Sequence, residues 1–322
     1  MTPRIYARVT HERALAEAHA AGARARTGFR RSPLDGVPIS WKDLFDTTGV
    51  ATEAGSALLE GRVPDVDAEV LQAATALGLV CLGKTHMSEL AFSGLGYNPV
   101  TASAPCVNDE NAISGGSSSG AAASVAYGLA AAGIGSDTGG SVRIPAAWND
   151  LVGLKTTSGR VSLKGVVPLC ARFDTVGPLC KTVAGTAAVF AALEGRAAAD
   201  LKGVDLCGKR FAVLQTVAMD DVEEGPLKGF EDAISDIKAA GAAIENIDVP
   251  QVNDAMALAG ILFTAEAYGT WKDVIEANPE KMFVGVLERF RGGQNALATD
   301  YITGWQTLEK LRKVYLTATA GY

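Results

Sequence analysis

The stretch SGGSSSGAAASVAYGLAAAGIGSDTGGSVRIPAA, residues 114–147, determines how the rest of the chain is interpreted. It contains two glycine–serine segments, GGSSSG and DTGGS, which are separated by an alanine-rich run. A flexible linker would lack that apolar content, so the run predicts an ordered helix and strand between the two segments. The stretch therefore belongs to a folded region, where glycine–serine segments are typical of phosphate-binding loops or of catalytic turns.

A phosphate-binding loop requires the motif GxxxxGK[ST]. The spacing from Gly115 to Gly120 matches this motif, but Ala121 and Ala122 occupy the positions of its lysine and its hydroxyl residue. Without the lysine, a nucleotide phosphate would lose its main charged partner. The pattern therefore disfavours nucleotide binding.

The run GSSSG, residues 116–120, also matches the GxSxG turn of α/β-hydrolases, with Ser118 at its centre. That class needs a histidine later in the chain, yet every histidine precedes Ser118, the last being His86. A serine nucleophile in this stretch would therefore need a base other than histidine. Lysine can serve, because burial removes the hydration of its ammonium group and lowers its pKa.

Three lysines lie in apolar segments and are candidates for that base. Lys42 ends the predicted strand ISWK, Lys84 lies in CLGKT and Lys155 lies in VGLKT. Asp43 follows Lys42, but the alternation of side chains along a strand places it on the opposite side. The local patterns do not rank the three lysines.

The remaining chain alternates between helical and strand patterns. The helical patterns cover residues 11–26, 67–77, 183–193, 226–240 and most of the chain after Asp254. The strand patterns end at Lys42 or cover residues 78–85, 209–215 and 242–250. This alternation predicts an α/β fold with a mixed, largely parallel central sheet that is covered by helices on both faces. Asp67 is the predicted N-cap of the helix at 67–77.

Composition and charge disfavour several classes of protein. The formal net charge of −7 and the pI of about 5.1 argue against direct binding to nucleic acid or to a membrane surface. The sequence has no apolar run that could span a membrane and no signal-peptide pattern at its start. The five scattered cysteines form no CxxC pair, and no histidine or cysteine cluster has metal-ligand spacing. We therefore expect a cytoplasmic protein without a metal.

An ordered series of segments resembles the amidase signature family, the serine hydrolases with a Ser–cis-Ser–Lys triad. GVPISWKDLFDTTGVATEAGS, residues 36–56, is similar to the family's lysine segment, and LGKTHMSELAFSGLGYN, residues 82–98, to its next block. Residues 115–147 are similar to the signature itself, and the resemblance continues to about Val183 and then, less closely, to the end. A series over roughly 150 residues is far more specific than one short motif.

The resemblance implies a role for each member of the triad. Lys42 becomes the base, Ser117 the bridging serine on a cis peptide bond, and Ser141 the nucleophile. The resemblance also implies an oxyanion hole formed by the backbone N–H groups of Thr138, Gly139, Gly140 and Ser141. The glycines suit this role, because they let the backbone direct several N–H groups toward one point.

Four further residues are expected to support the site. Gly116 would remove one side chain from the crowded peptide bond before Ser117. Ser118 is expected to bond the backbone of its loop. Asp137 and Arg143 are expected to brace the second loop through hydrogen bonds.

The implied function is hydrolysis of the C–N bond of a small carboxamide to carboxylate and ammonia, through an acyl-enzyme and without a cofactor. The expected partner is a small-molecule amide, and a homodimer is compatible with this function. One alternative is the glutaminase-type A subunit of a tRNA-dependent amidotransferase, which belongs to the same family. Two segments differ from the sequence that is typical of that subunit, namely THMSELAFSGLGYN and VSLKGVVPLCARFDTVGP.

A second alternative is a truncated, non-catalytic member of the family. The chain is shorter than the family at both ends, and its final residues LTATAGY are typical of a piece of a longer protein. We therefore expect one amidase signature domain over residues 1–322 that lacks terminal parts. Its core is predicted at residues 27–250, followed by a mostly helical region at 251–322.

Overall fold

A computed structural model describes residues 2–322 of the chain. The chain divides into two units. The first unit contains residues 2–200 and Gly269–Phe290, and the second contains Leu201–Tyr268 and Arg291–Tyr322. None of the helices in the described residues combines the length and the apolar content needed to cross a bilayer.

The strands and helices alternate along much of the chain. The strands are β1 (Tyr6–Val9), β2 (Pro38–Lys42), β3 (Val80–Thr85), β4 (Pro105–Cys106), β5 (Asp109–Ile113), β6 (Ala132–Asp137), β7 (Val152–Gly153), β8 (Thr175–Cys180), β9 (Arg210–Gln215) and β10 (Ala243–Asp248). The helices are α1 (Thr2–Ile5), α2 (His11–Thr27), α3 (Glu69–Ala76), α4 (Ser119–Ala126), α5 (Arg143–Trp148), α6 (Val183–Glu194), α7 (Glu224–Ala239), α8 (Gln251–Ala257), α9 (Ala259–Ala277), α10 (Val284–Arg291) and α11 (Ala298–Thr319).

The main sheet of the first unit has the strand order β1-β3-β2-β6-β8-β7. The central strands β3, β2 and β6 pair in parallel, whereas β1 is antiparallel to β3, and β8 is antiparallel to both of its neighbours. Four of these six strands therefore run in the same direction. The prediction of a mixed, largely parallel sheet flanked by helices is confirmed.

Small residues allow α4 to pack closely on β6. All six residues of β6 are buried, and Ala121, Ala122 and Ala123 of α4 have no exposed surface. A Cβ atom on Gly133 would lie 2.5 Å from the carbonyl oxygen of Ala121, and one on Gly135 would lie 2.5 Å from Ser118 Oγ. The alanine–glycine run is therefore close-packed core, which is why it does not behave as a linker.

One predicted helix boundary is wrong. Helix α3 begins at Glu69 with Ala68 as its N-cap, so Asp67 does not cap it. The Asp67 carboxylate instead accepts hydrogen bonds from the Arg13 guanidinium at 2.8 and 2.9 Å and from the backbone N–H of Thr48 at 2.7 Å. A charged partner on α2 competes successfully with the local cap, because its bidentate bonds are stronger.

The second unit is built around a smaller sheet. Strands β9 and β10 pair in parallel over six residues each, and α7 connects them. Within the same unit, α8 packs against α11. The Tyr322 hydroxyl donates a hydrogen bond to the Glu245 carboxylate at 2.7 Å.

Candidate active site

Lys42 ends strand β2 at the centre of the main sheet, and its side chain has no exposed surface. Its Nζ atom lies 2.7 Å from Ser117 Oγ and 2.8 Å from Ser136 Oγ. Both contacts are with neutral hydroxyl groups. The amine is thus held at hydrogen-bond distance from Ser117, the serine for which the family resemblance implies the bridging role.

Burial lowers the pKa of Lys42 from 10.5 to about 7. The negative charges of Asp174 and Asp137 oppose this effect, but they do not outweigh the loss of hydration. An amine with this pKa is neutral in a substantial fraction of molecules near pH 7, so it can accept a proton. The Asp43 carboxylate lies 3.2 Å from Lys84 Nζ.

Ser117 is fully buried and follows a cis peptide bond with Gly116. Its carbonyl oxygen accepts a hydrogen bond from the N–H of Ser88 at 3.2 Å. A Cβ atom on Gly116 would lie 2.6 Å from the backbone nitrogen of Gly96 and 2.8 Å from Ser88 Oγ. Position 116 therefore has no room for a side chain, which is the steric reason that the sequence has glycine there.

Ser118 connects the two glycine–serine segments through its backbone and its side chain. Its N–H donates to the carbonyl oxygen of Ser141 at 3.2 Å, and its Oγ donates to the carbonyl oxygen of Ser136 at 3.2 Å. Ser141 lies in the turn between β6 and α5, and 8% of its surface is exposed. These bonds fix the Ser117 segment against the turn that carries Ser141.

The Asp137 carboxylate organises that turn. It accepts hydrogen bonds from the N–H of Gly140 at 2.8 Å, from the N–H of Val142 at 3.1 Å and from Arg143 Nε and Nη2 at 3.0 and 2.9 Å. Burial alone would raise the pKa of Asp137, but Arg143 and the two N–H groups reverse this effect and lower it. Asp137 and Arg143 thus meet at this turn and are joined by two direct hydrogen bonds.

The hydrogen bond that Gly140 makes removes one of the four predicted donors of the oxyanion hole. Its N–H group donates to Asp137 Oδ1, so it is already engaged in bracing the turn. Gly140 also has a φ of +136°, and a Cβ atom there would lie 2.8 Å from Ile144 Cδ1. The remaining predicted donors are the N–H groups of Thr138, Gly139 and Ser141. The predicted oxyanion hole is thereby reduced from four candidate donors to these three.

Asp174 is a buried residue of the site that the sequence did not reveal. Its carboxylate accepts hydrogen bonds from the N–H groups of Leu169 and Cys170, at 3.0 Å and at 3.1–3.2 Å, and from the Thr138 hydroxyl. Burial raises the pKa of Asp174 despite these donors. The residue lies in the segment FDTVGP, which resembles the family, but nothing local in that segment indicates its contact with Thr138.

The two other candidate lysines have different surroundings. Lys84 is fully buried, but its Nζ lies 3.2 Å from Asp43 Oδ1 and 2.8 Å from Thr52 Oγ1. Lys155 is exposed and donates to the carbonyl oxygen of Thr156 at 2.8 Å. Of the three lysines, Lys42 is therefore the one that contacts Ser117.

The carboxylates near the site are engaged by hydrogen-bond donors of the protein, as described for Asp137 and Asp174. Among residues 2–322, no group of three histidine, cysteine, aspartate or glutamate side chains is arranged to hold a metal ion.

Comparison with known families assigns the chain to a class. The chain matches the model of the Amidase family over residues 3–321, and it belongs to that family. A solved structure described as an amidase superposes with a TM-score of 0.90 at 30% sequence identity, covering 99% of this chain and 72% of that chain.

Two curated relatives are components of an amidotransferase. The A subunit of glutamyl-tRNA(Gln) amidotransferase from Anaeromyxobacter sp. (strain K) is 48% identical over 195 residues, which is 60% of this chain and 39% of that protein. The protein of the same name from Chloroflexus aggregans (strain MD-66 / DSM 9485) is 33% identical over 323 residues, which is 96% of this chain and 63% of that protein. The chain thus spans less than two thirds of the length of either relative.

Proposed function

We propose that the protein is an amidase that hydrolyses the C–N bond of a small carboxamide to carboxylate and ammonia. The observation that carries this proposal is the buried amine of Lys42, which lies 2.7 Å from Ser117 Oγ and has a pKa of about 7. A neutral lysine in contact with a serine hydroxyl can act as the base. The α/β-hydrolase order would need a histidine after the nucleophile as base, and every histidine of this chain lies before Ser118.

In the proposed reaction, the proton of Ser141 Oγ moves to Lys42 through the Ser117 hydroxyl. Ser141 Oγ attacks the amide carbonyl carbon, and the carbonyl oxygen becomes an oxyanion. The N–H groups of Thr138, Gly139 and Ser141 would stabilise that charge, and one well-placed donor of this kind contributes about 3–4 kcal/mol to the transition state.

Collapse of the tetrahedral intermediate breaks the C–N bond and leaves an acyl group on Ser141. The proton that Lys42 holds returns through Ser117 to the leaving nitrogen, so ammonia departs as a neutral molecule. Water then attacks the acyl-enzyme with the same lysine as base, and the carboxylate is released. Each proton that Lys42 accepts is returned within the cycle, so the reaction needs no cofactor.

The proposal is tested by measuring ammonia release from a panel of small carboxamides that includes glutamine. Ser141→Ala and Lys42→Ala are expected to reduce turnover by at least 1,000-fold, since members of a catalytic unit typically contribute on the order of 10³–10⁶. Lys155→Met is the matched lysine control and is expected to retain wild-type turnover. Unchanged turnover in Ser141→Ala would refute the proposal. If the wild type released no ammonia from any amide, the result would favour a non-catalytic family member.

A second candidate function is that of a glutaminase component which passes ammonia to a partner. The observation that favours it is the 48% identity over 195 residues to a relative named for glutamyl-tRNA(Gln) amidotransferase. Turnover of glutamine alone, together with a strict requirement for partner subunits, would support this function. Turnover of several carboxamides by the isolated chain would support the first.

A further inference from the structure

The amine of Lys42 has a second hydroxyl neighbour, which the proposed proton path does not use. Ser136 lies on β6, the strand that pairs in parallel with β2, and only 4% of its surface is exposed. Its Oγ atom lies 2.8 Å from Lys42 Nζ, almost as near as Ser117 Oγ at 2.7 Å. The two hydroxyl groups come from different elements and meet at one nitrogen atom.

A neutral amine has one lone pair and two N–H bonds, so its orientation determines whether it can act as a base. Lys42 can take a proton from Ser117 only when its lone pair faces Ser117 Oγ. If an N–H bond faced Ser117 instead, the contact would keep its length but would have the wrong direction for proton transfer. A second group that accepts a hydrogen bond from one N–H bond of the amine, at a fixed place, favours the orientation in which the lone pair faces Ser117.

We propose that Ser136 is a positioning residue of the amidase reaction. Its hydroxyl oxygen accepts a hydrogen bond from one N–H group of Lys42, and this bond directs the lone pair of the amine at Ser117. This inference rests on the proposed function, because it assigns a role in the same proton path. Ser136 acts through Lys42 and touches neither the substrate nor the reacting carbonyl.

The contact has a second effect, on the protonated state. When Lys42 becomes an ammonium group, its bond to Ser136 becomes charge-assisted and stronger. Removal of the Ser136 hydroxyl therefore weakens the charged form more than the neutral form, and the pKa of Lys42 falls. The charged groups that act on Lys42 are Asp174 and Asp137, and both are retained when Ser136 is replaced.

The test compares the pH dependence of kcat/KM for wild type, Ser136→Ala and Ser136→Thr with an amide that the wild type hydrolyses. Ser136→Ala is expected to lower kcat about tenfold with little change in KM. It is also expected to move the acid limb of the kcat/KM profile to lower pH by about one unit, because the pKa of Lys42 falls. Ser136→Thr retains the hydroxyl and is expected to restore both values. A purely structural role would lower the melting temperature without moving the acid limb.

Ser40→Ala is the matched control. Ser40 lies on β2 two residues before Lys42, is fully buried and bonds to Ser124 Oγ at 2.7 Å. It is expected to keep the wild-type pH profile. An unmoved acid limb in Ser136→Ala, or an equal shift in Ser40→Ala, would overturn the inference.

Two further variants keep the test informative. If Ser136→Ala does not fold, Ser136→Cys keeps a side chain of similar shape with a weaker acceptor. It is expected to move the acid limb of the pH profile by less, in the same direction. An unmoved acid limb would overturn the inference.

Lys42→Ala separates the two proposals. If it retains turnover, the proposed function fails and the inference fails with it; if it loses turnover while Ser136→Ala matches wild type, the inference alone fails.

Discussion

The substitution Asp137→Asn removes the negative charge that holds the Ser141 turn while it keeps the size of the side chain. Oδ1 accepts from Gly140 N–H and Arg143 Nη2, and Oδ2 accepts from Val142 N–H and Arg143 Nε. An asparagine has one acceptor and one donor at these two positions. In either orientation of the amide, its NH2 group therefore faces at least two N–H donors.

The cost follows from these contacts. A hydrogen bond to a charged group contributes about 1.5–3 kcal/mol, and the loss of two gives about 3–6 kcal/mol. The Arg143 side chain is 51% exposed, so water replaces part of its lost pairing. The lower end of the range applies, and we expect Asp137→Asn to reduce the free energy of unfolding by about 3 kcal/mol.

Urea titrations of wild type, Asp137→Asn and Arg143→Gln measure this cost. Arg143→Gln removes the exposed guanidinium but leaves the backbone donors of Gly140 and Val142 on the carboxylate, so its expected cost is only about 1 kcal/mol. Amide turnover is expected to fall with Asp137→Asn, because Gly140 and its neighbour Ser141 lose their anchor. A cost below about 1 kcal/mol for Asp137→Asn, or a larger cost for Arg143→Gln, would refute the reasoning.

Three other predictions follow from buried groups. Between pH 7 and 10.5, unfolded Lys42 binds a proton that the folded residue lacks, so wild type gains stability relative to Lys42→Met as pH rises, by up to about 1.4 kcal/mol per unit. Urea titrations at several pH values check this, and a constant difference would contradict it. Lys84→Met removes the buried ammonium group that lies 3.2 Å from the Asp43 carboxylate and leaves only the half-buried Arg8 guanidinium, at 3.7 Å, as its ion-pair partner. This variant is expected to cost about 3 kcal/mol, part of which Asp43→Asn would recover. A Lys84→Met protein as stable as wild type in thermal melts would contradict this expectation. Gly116→Ala places a Cβ atom 2.6 Å from the nitrogen of Gly96 and is expected to cost about 1–3 kcal/mol and reduce amide turnover; wild-type stability and turnover would contradict the close packing.

The sequence predicted the fold through patterns that are local. Alternating helical and strand patterns indicated the α/β class, and the alanine–glycine run indicated an ordered helix and strand. Asp67 shows the limit of this approach. It precedes a helix and has a side chain suited to capping, but Arg13, 54 residues away, binds it instead. Competition from a distant partner is invisible to a local pattern.

The candidate site shows the same limit of local patterns. The sequence offered Lys42 and Lys84 as equivalent lysines in apolar strands, and both are buried. They differ in what lies opposite, because Lys84 meets a carboxylate and Lys42 meets hydroxyl groups. Only the resemblance to a family ranked them, since pairing between strands determines these neighbours.

Ser136 and Asp174 escaped prediction for the same physical reason. Ser136 is one serine among many in a small-residue run, and its contact with Lys42 spans 94 residues. Asp174 binds the Thr138 hydroxyl across 36 residues. The engagement of Gly140 with Asp137 is a three-residue contact, but it depends on the conformation of the turn, which the sequence did not specify.

The long separation between Lys42 and its two serines has a consequence for when the buried, neutral lysine can form. Its contacts close loops of 75 and 94 residues, and loops of this length form later than local helices because their closure costs entropy first. A chain that has formed only α2 and its nearby turns holds this lysine in water, where it stays protonated. The neutral form of the amine, which can accept a proton near pH 7, is therefore absent from the newly made chain and arises only when the central sheet assembles around Lys42.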